Sequence, residues 1–263
     1  TRSLYAVASD GATRVESACE IGAALDAVRP GFEFPCVVKP LALSGSRGVI
    51  RADDPETLHA ALERVQRLLS RPDIRARRDP SDDRVVLEAF IPGREYALEG
   101  VVEDGTLRVL AVFDKPNPLD GPFFEESIYV TPSAQSAAEQ RRMEQAVADA
   151  VGALGLRHGP VHAECRVNEV GVFVLEVAAR PIGGLCSQVL RFQGPGDVVL
   201  PLEGLLLRHA LGEPLSGYRR ETDASAVMMI PIPRAGIYRH TDEVDAARAV
   251  PGIVDVVMTA KPD

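Results

Sequence analysis

Lysine is scarce in this sequence: Lys39, Lys115 and Lys261 are the only three among 29 basic residues, and arginine supplies the rest. We therefore predict that the two internal lysines occupy positions that need a compact ammonium group, which a planar guanidinium cannot replace; the alternative is chance. Acidic residues outnumber basic ones, and the net charge of −9 argues against nucleic acid or an anionic membrane as the main partner.

Cysteine is also rare, and long apolar runs are missing. The four cysteines, Cys19, Cys36, Cys165 and Cys186, lie far apart and show no CxxC spacing. We therefore predict reduced, partly buried thiols and no zinc site or disulfide framework. No apolar run approaches the ~18 residues that a membrane span needs, and no signal peptide opens the chain. These absences predict a cytoplasmic protein.

The chain is long enough for one large domain or two smaller ones. Its 263 residues are 46% hydrophobic and 25% charged, which is typical of a globular protein with a real core. The sequence begins at Thr1 without a methionine and ends at Asp263, so we expect a processed or excised piece of a longer protein.

An apolar run followed by small residues predicts a phosphate site. Residues 34–40 predict a strand that contains Lys39, and the link Ser44-Gly45-Ser46-Arg47-Gly48 follows before a second strand from Val49. Small residues let backbone N–H groups approach phosphate oxygens, and the serine hydroxyls add donors. A lysine at the base of the loop supplies a point charge. The link is not a Walker A loop, because no GK[ST] motif follows it.

Two valine-rich runs between residues 161 and 177 predict an antiparallel hairpin. A three-residue loop that ends in Gly171 fixes the pairing, and counting back from this loop sets Glu164 opposite Glu176. Like charges that face each other on paired strands are destabilising. Either one glutamate holds a proton, or a cation lies between the two.

The alternative is a register that differs by one residue, with one glutamate facing solvent. The neighbours favour the facing pair, because His162 and Arg166 share the face of Glu164, and Arg180 follows Glu176 within four residues. Paired carboxylates with an arginine at the rim suit a Mg²⁺ ion that bridges phosphate oxygens.

Apolar spacing and turn residues predict the remaining elements. Helices are expected at 13–28, at 53–69 with an aspartate cap, and at 136–154 with a capping box from Ser136 to Glu139. Asp197 is expected to cap a leucine-rich helix that runs to Leu211, and a short helix is expected near residue 243. Strands are expected at 4–8, 84–91, 95–103, 107–113, 227–232 and 253–257, the third and fourth joined by a two-residue turn at Asp104-Gly105.

The order of these features resembles the ATP-grasp superfamily, with a strand lysine, a small-residue loop, Glu88 at a hinge, a hairpin, a second lysine and the glutamate pair. The stretch Glu-Val-Ala-Ala-Arg-Pro-Ile-Gly-Gly from Glu176 looks most like the carboxylate–amine ligase branch that includes L-amino acid ligases. The resemblance implies an α+β fold in which two lobes with antiparallel sheets sandwich ATP. The small lobe would comprise residues 1–88 and the large lobe residues 89–263.

The resemblance also implies which residues form the site. Those expected to bind ATP are Lys39, Ser44, Gly45, Ser46, Gly48, Glu88, Ala89, Phe90, Ile91 and Glu95. Those expected to hold Mg²⁺ are Glu164 and Glu176. Those expected to be catalytic are Arg180, which would stabilise the transferring phosphoryl group, and Lys115, a second basic group lining the site.

The implied reaction is ligation of a small-molecule carboxylate to an amine through an acyl phosphate, with release of ADP and phosphate. The alternatives are other ATP-grasp chemistry, similar to phosphoribosylglycinamide synthetase or biotin carboxylase, and a non-catalytic ATP-binding module of a larger synthetase. Two departures from the family matter. Ala178 replaces a common asparagine ligand, and the β/α domain that normally precedes this region is expected to be missing, which leaves a homodimer or a separate N-terminal domain open as partners.

Overall fold

The computed structural model describes residues 6–8, 11–13, 19–20, 33–79, 81–232 and 236–259, with backbone alone for the segments before residue 33. The chain divides into two compact units, Thr1–Met229 and Ile230–Asp263. Among the described helices, none has both the length and the apolar character to cross a membrane.

In the described residues, strands and helices are interspersed along the chain. Strands β1 to β15 are, in sequence, Ala6–Ala8, Gly11–Thr13, Cys19–Glu20, Cys36–Pro40, Ile50–Ala52, Arg84–Ala89, Arg94–Glu103, Thr106–Asp114, Ile128–Thr131, Gly159–Val167, Val172–Ala178, Arg191–Gln193, Val199–Pro201, Arg219–Arg220 and Ser225–Met228. Helices α1 to α5 are Pro55–Leu69, Pro72–Arg75, Ala137–Ala153, Leu202–Ala210 and Val244–Arg248. Short 3₁₀ turns lie at Cys186–Val189 and Pro195–Asp197.

A four-stranded sheet, here called the small sheet, carries Lys39. Its order is β3-β6-β4-β5, and its pairs are antiparallel. Alternation along β4 sends Cys36 and Val38 into the core beneath α1, whereas Val37 and Lys39 point to the other face. The apolar stripe of α1 (Leu58, Ala61, Leu62, Val65, Leu69) completes that core.

An eight-stranded antiparallel sheet, here called the large sheet, has the order β15-β9-β8-β7-β10-β11-β1-β2. Helix α3 covers one face of its centre, and α4 with the Cys186–Val189 turn covers the other. Strand β7 therefore runs through the core with both faces buried, and the glutamates on one of those faces, Glu95 and Glu99, are buried as well. Because β1 and β2 pair at the edge of this sheet, they do not belong to the small sheet.

Local capping signals predict the starts of α1 and α3 correctly. Asp54 caps α1 by accepting a hydrogen bond from the Thr57 N–H, and Ser136 caps α3 by accepting one from the Glu139 N–H. The turn between β7 and β8 is also confirmed, with positive φ at Asp104 (50°) and Gly105 (83°).

The predicted helix start at Asp197 is wrong. Asp197 ends a 3₁₀ turn, strand β13 follows it, and α4 begins only at Leu202. The β-branched pair Val198-Val199 favours an extended backbone, and β13 finds a partner in β12.

The ends of the chain also differ from the sequence predictions. Within the predicted helix at 13–28, Cys19–Glu20 pairs with β6 as a strand, whereas residues 14–18 and 21–28 lie outside the described residues. In the second unit the short helix is confirmed as α5, but residues 253–257 form no strand. Their β-rich composition is insufficient because the described part of this unit offers no partner strand.

Candidate nucleotide and metal site

A cavity lies between the small sheet and the large sheet. It contains about 840 Å³ of space free of protein atoms, part of it open to solvent. The small sheet and its loop contribute Val37, Lys39, Pro40, Leu43, Ser44, Gly45, Ser46, Arg47, Val49, Glu88 and Ala89. The large sheet and adjoining segments contribute Phe90, Ile91, Glu95, Phe124, Glu164, Arg166, Leu175 and Glu176.

The cavity wall on the small sheet carries the predicted phosphate-binding groups. Lys39 Nζ lies 2.6 Å from Glu88 Oε2, and the two side chains are 27% and 25% exposed. Gly45 has a φ of 65°, in the left-handed region that glycine adopts without strain. Arg47, which the sequence analysis left out of the site, also lines the cavity, and its partner Asp73 is 3.4 Å away.

Gly48 has a different part in this loop. A Cβ at that position would lie 2.9 Å from side-chain atoms of both Leu68 and Pro40, and the φ of 82° is unfavourable for other residues. Gly48 does not line the cavity. It lets the loop pack closely against the core of the small sheet, and it thereby helps to fix where Ser44 to Ser46 stand.

The two glutamates face each other as predicted, but the strand pairing that brings them together differs from the predicted one. Glu164 on β10 lies opposite Glu176 on β11. The hairpin loop has four residues and pairs Val167 with Val172, which alone would shift Glu176 by one position. A β-bulge between Glu164 and Cys165 adds one residue on β11, Leu175, and restores the pair.

The two glutamates have opposite electrostatic environments. Burial tends to raise the pKa of Glu164, but nearby His162 and the ammonium of Lys115 outweigh it and hold that pKa below its usual range. Glu176 reaches solvent through the cavity, yet partial burial in the cleft and the charge of Glu164 raise its pKa. A cation between the two carboxylates would relieve this repulsion.

Lys115 lies beneath the cavity and is almost fully buried, with 3% of its side chain exposed. Its ammonium donates to Glu95 Oε1 at 2.8 Å, to Glu126 Oε1 at 3.0 Å and to Glu164 Oε1 at 2.6 Å. Burial alone would lower the pKa of Lys115, but the three carboxylates raise it. Oxygens of these carboxylates lie within 4.8 Å of one another, and the lysine supplies the positive charge that such a cluster requires.

Arg166 is a site residue that the sequence pattern does not predict. Its guanidinium donates to Glu95 Oε2 at 3.0 Å, to the Ile91 carbonyl at 2.7 Å and to the Leu119 carbonyl at 2.6 Å. It also lies 5.0 Å from the centroid of the Phe90 ring and 5.6 Å from that of Phe124. Arg166 therefore joins the segment after β6 to the loop before β9. Its only sequence signal was the face that it shares with Glu164.

Arg180 stands in an irregular turn after β11. Its side chain is exposed, and its Nη1 donates to the Pro181 carbonyl at 3.0 Å. Arg180 does not line the cavity, but its charge acts to lower the pKa of Glu176.

The structure brings most of the predicted site residues to one cavity. Eleven of the fourteen line it, while Gly48, Lys115 and Arg180 lie around it. Residues on the wall that the sequence analysis left out of its set are Val37, Pro40, Leu43, Arg47, Val49, Phe124, Arg166 and Leu175.

Comparison with known families decides the assignment of the fold. Residues 32–189 match the model of the ATP-grasp domain. The chain belongs to the ATP-grasp family. The predicted α+β fold with antiparallel sheets is therefore confirmed, and the matched residues include both walls of the cavity.

Solved and curated relatives of the chain include ATP-grasp ligases. The L-amino acid ligase from Bacillus licheniformis superposes with a TM-score of 0.69 at 29% identity, covering 85% of this chain and 53% of that protein. The alanine–anticapsin ligase of Bacillus subtilis is 28% identical over 57% of this chain and 34% of its own length. The formate-dependent phosphoribosylglycinamide formyltransferase of Delftia acidovorans is 28% identical over 94% of this chain and 58% of its own length. The chain thus spans about half the length of these relatives, or less.

Proposed function

We propose that this chain is the ATP- and Mg²⁺-binding part of a ligase that joins a small-molecule carboxylate to an amine. The observation that carries the proposal is one cavity with Lys39 on one wall and the facing carboxylates of Glu164 and Glu176 on the other. A cation for phosphate oxygens and carboxylates for Mg²⁺ are the groups that phosphoryl transfer from ATP uses.

The donor set fits both ATP and Mg²⁺. When bound, ATP would supply the phosphoryl group, and Mg²⁺ would neutralise charge on the phosphates. Lys39 and the small-residue loop, which Gly48 holds in place, would bind the phosphates. Glu88 and the hinge Ala89–Ile91 would bind the adenine, and Glu95 the ribose. Glu164 and Glu176 would hold the metal.

The proposed reaction has two steps. An oxygen of the substrate carboxylate attacks the γ-phosphorus, the bond to ADP breaks, and an acyl phosphate forms. The amine nitrogen then attacks the acyl carbon, the C–N bond forms, phosphate leaves, and the amine releases a proton. Arg180 would neutralise negative charge on the acyl phosphate, while Lys115 would keep Glu164 ionised and in position. Catalysis of this kind depends on positioning and electrostatics.

The relatives support this reaction class. One is named an L-amino acid ligase and another an alanine–anticapsin ligase, and the name of the third contains both formate, a carboxylic acid, and phosphoribosylglycinamide. The protein would act in the cytoplasm. The small lobe proposed within residues 1–88 would be built on β3 to β6, because β1 and β2 pair with the large sheet, and the large lobe would comprise residues 89–263 together with β1 and β2. Strand β6 ends at Ala89 and β7 begins at Arg94, and this short connection supports a hinge between the two sheets.

Calorimetric titration of Mg·ATP into the chain tests the proposal. We expect micromolar binding that weakens at least about tenfold in Glu176→Ala, because the metal loses one of two carboxylates. Glu169→Ala is the matched control, since this glutamate lies exposed in the hairpin loop between the same strands. Binding would then justify a screen of acid and amine pairs for release of ADP, with Arg180→Ala as the inactive reference. Equal binding by wild type and Glu176→Ala would refute the metal site.

A further inference from the structure

Glu99 is a buried carboxyl group that the proposed reaction does not use. It lies in the middle of β7, on the same face as Glu95, and its side chain has no exposed surface (0%). A buried carboxyl group is costly unless hydrogen bonds compensate for the lost water. Oε2 of Glu99 accepts a hydrogen bond from the backbone N–H of Ile182 at 2.9 Å, and Oε1 has no partner among the described residues.

Ile182 belongs to the turn that carries Arg180. Residues 179–185 contain no helix or strand, and Ile182 is the one buried residue between Ala179 and Gly184. Its side chain packs in the core with Cys186 and Leu190, while its N–H reaches Glu99. The turn is thus fixed at one residue by two contacts, an apolar one and a hydrogen bond to a strand 83 residues away.

His162 lies beside Glu99 and faces it across β7 and β10. Its Nδ1 lies 3.9 Å from Glu99 Oε2 and has no hydrogen-bond partner within the described part of the chain, while its Nε2 lies 3.7 Å from Glu164 Oε1. Burial raises the pKa of Glu99 to about 8, so the neutral carboxylic acid predominates at neutral pH. A neutral acid can still accept from Ile182, and an amide of the same shape could do so equally.

We propose that Glu99 is a positioning residue: by accepting the Ile182 N–H it fixes the turn after β11 and thereby sets where the Arg180 guanidinium stands beside the cavity. The benefit to catalysis rests on the role proposed for Arg180. The hydrogen bond from the Ile182 N–H to Glu99, here called the anchor, does not rest on that role, because it is a property of the fold. An apolar residue in place of Glu99 would leave the Ile182 N–H unsatisfied inside the core, so it would loosen the turn.

Amide hydrogen exchange of the full chain, read by NMR, tests the anchor without any substrate. The Ile182 amide should exchange slowly in wild type and in Glu99→Gln, whose amide oxygen can accept the same hydrogen bond. It should exchange about tenfold faster or more in Glu99→Leu, which has no acceptor. Leu98→Ala is the matched control, because Leu98 is the buried neighbour on the other face of β7 and its loss should leave Ile182 unchanged.

The consequence for Arg180 has its own measurement, ADP release with an acid and amine pair that turns over. In the wild-type background, Arg180→Ala should reduce kcat strongly. In the Glu99→Leu background the same change should reduce kcat by a smaller factor, because the guanidinium is already misplaced. In the Glu99→Gln background the reduction in kcat should be as large as in wild type. Fast exchange of Ile182 in wild type, or unchanged exchange in Glu99→Leu, would overturn the anchor. An equal effect of Arg180→Ala in both backgrounds would overturn the positioning role.

Two outcomes separate this inference from the proposed function. Should no acid and amine pair release ADP, the proposed function fails, and the exchange of Ile182 still decides the anchor. Should Glu99→Leu fail to fold, Glu99→Gln decides, because a fast-exchanging Ile182 in that variant would refute the hydrogen bond that we infer.

Discussion

Glu164 lies directly opposite Glu176 on β10 and β11, and a β-bulge gives it a second neighbour, Leu175, on the same strand as Glu176. An extra residue in one strand of an antiparallel pair bends that strand and redirects side chains. Leu175 and Glu176 both line the cavity as a result. The bulge therefore places an apolar contact beside a carboxylate that is proposed to hold the metal.

Shortening Leu175 should weaken nucleotide binding without removing its dependence on Mg²⁺. Leu175→Ala deletes apolar surface from the cavity wall and leaves Glu176 in place. With about one CH₂ equivalent of that surface buried by the nucleotide, at ~0.8 kcal/mol per CH₂, we expect a loss of about 1 kcal/mol in Mg·ATP binding, or roughly fivefold in Kd. Calorimetry with and without Mg²⁺ measures both quantities.

Val174→Ala is the matched control for Leu175→Ala. Val174 points into the core on the other face of β11, so its truncation should lower the free energy of unfolding and leave the Kd of Mg·ATP unchanged. A Leu175→Ala variant that binds as tightly as wild type would show that the bulge has no part in the nucleotide site.

Replacement by methionine should have different main effects at the two internal lysines, on stability at Lys115 and on nucleotide binding at Lys39. Lys115→Met leaves the buried carboxylates of Glu95 and Glu164 and the partly buried one of Glu126 without their counter-charge, which should cost about 3–5 kcal/mol in the free energy of unfolding. Lys39→Met removes one partly exposed pair with Glu88 and should change stability by about 1 kcal/mol or less, while Mg·ATP binding falls sharply. Urea unfolding and calorimetry on both variants make the comparison, and equal losses of stability would contradict it.

The sequence was most informative where a signal is local. Asp54 and Ser136 mark helix starts because a side-chain cap satisfies backbone donors within the same turn. Asp197 is the same type of residue, but the strand that follows it pairs with β12, so tertiary pairing overrides the cap. Local chemistry alone cannot reveal which outcome applies.

The site illustrates the same limit. The Glu164–Glu176 pair was predicted from a three-residue loop, yet the loop has four residues and the bulge compensates for the shift. An alternating pattern does not show where a bulge lies. The contacts of Arg166 with Ile91 and Leu119 join segments 75 and 47 residues away. Such contacts arise only when the sheets assemble, so spacing in the sequence does not predict them.

The pKa of Glu99 predicts how stability depends on pH. Burial raises this pKa from 4.5 to about 8 in the folded chain. The folded state then binds the proton more tightly than the unfolded state, so the stability that the neutral acid provides is complete below pH 4.5 and is lost as the pH rises towards 8. Among the described residues, the charged or titratable groups near this carboxyl group are His162, Arg180 and Cys186.

Glu99→Gln should remove this pH dependence. A pKa difference of one corresponds to about 1.4 kcal/mol, so between about pH 5 and about pH 9 wild type should lose about 2 kcal/mol or more of unfolding free energy beyond the loss in Glu99→Gln. Urea unfolding at both pH values measures the change in unfolding free energy of each protein. Subtracting the change in Glu99→Gln from that in wild type removes the contribution of the other titrating groups, which both proteins share. Glu103→Gln, at the exposed end of the same strand, should follow the wild-type curve. Parallel curves for wild type and Glu99→Gln would mean that Glu99 is ionised in the folded chain.

Arg166 should tolerate lysine poorly although the charge is kept. Its guanidinium makes hydrogen bonds in three directions, to Glu95, Ile91 and Leu119, and lies over Phe90. A lysine ammonium cannot reproduce this planar arrangement, so in Arg166→Lys at least one of the two carbonyls loses its donor. We expect a loss of about 1–3 kcal/mol in the free energy of unfolding.

Those carbonyls belong to the hinge and to the loop before β9, and the hinge residues Phe90 and Ile91 line the cavity. Arg166→Lys should therefore also weaken Mg·ATP binding by about tenfold. Arg94→Lys is the matched control: this arginine is exposed at the start of β7, and its replacement should change neither quantity. If Arg166→Lys lowers both the affinity for Mg·ATP and the free energy of unfolding, one buried side chain both holds the hinge and forms the nucleotide site. Stability lost with binding intact would assign Arg166 to the fold alone.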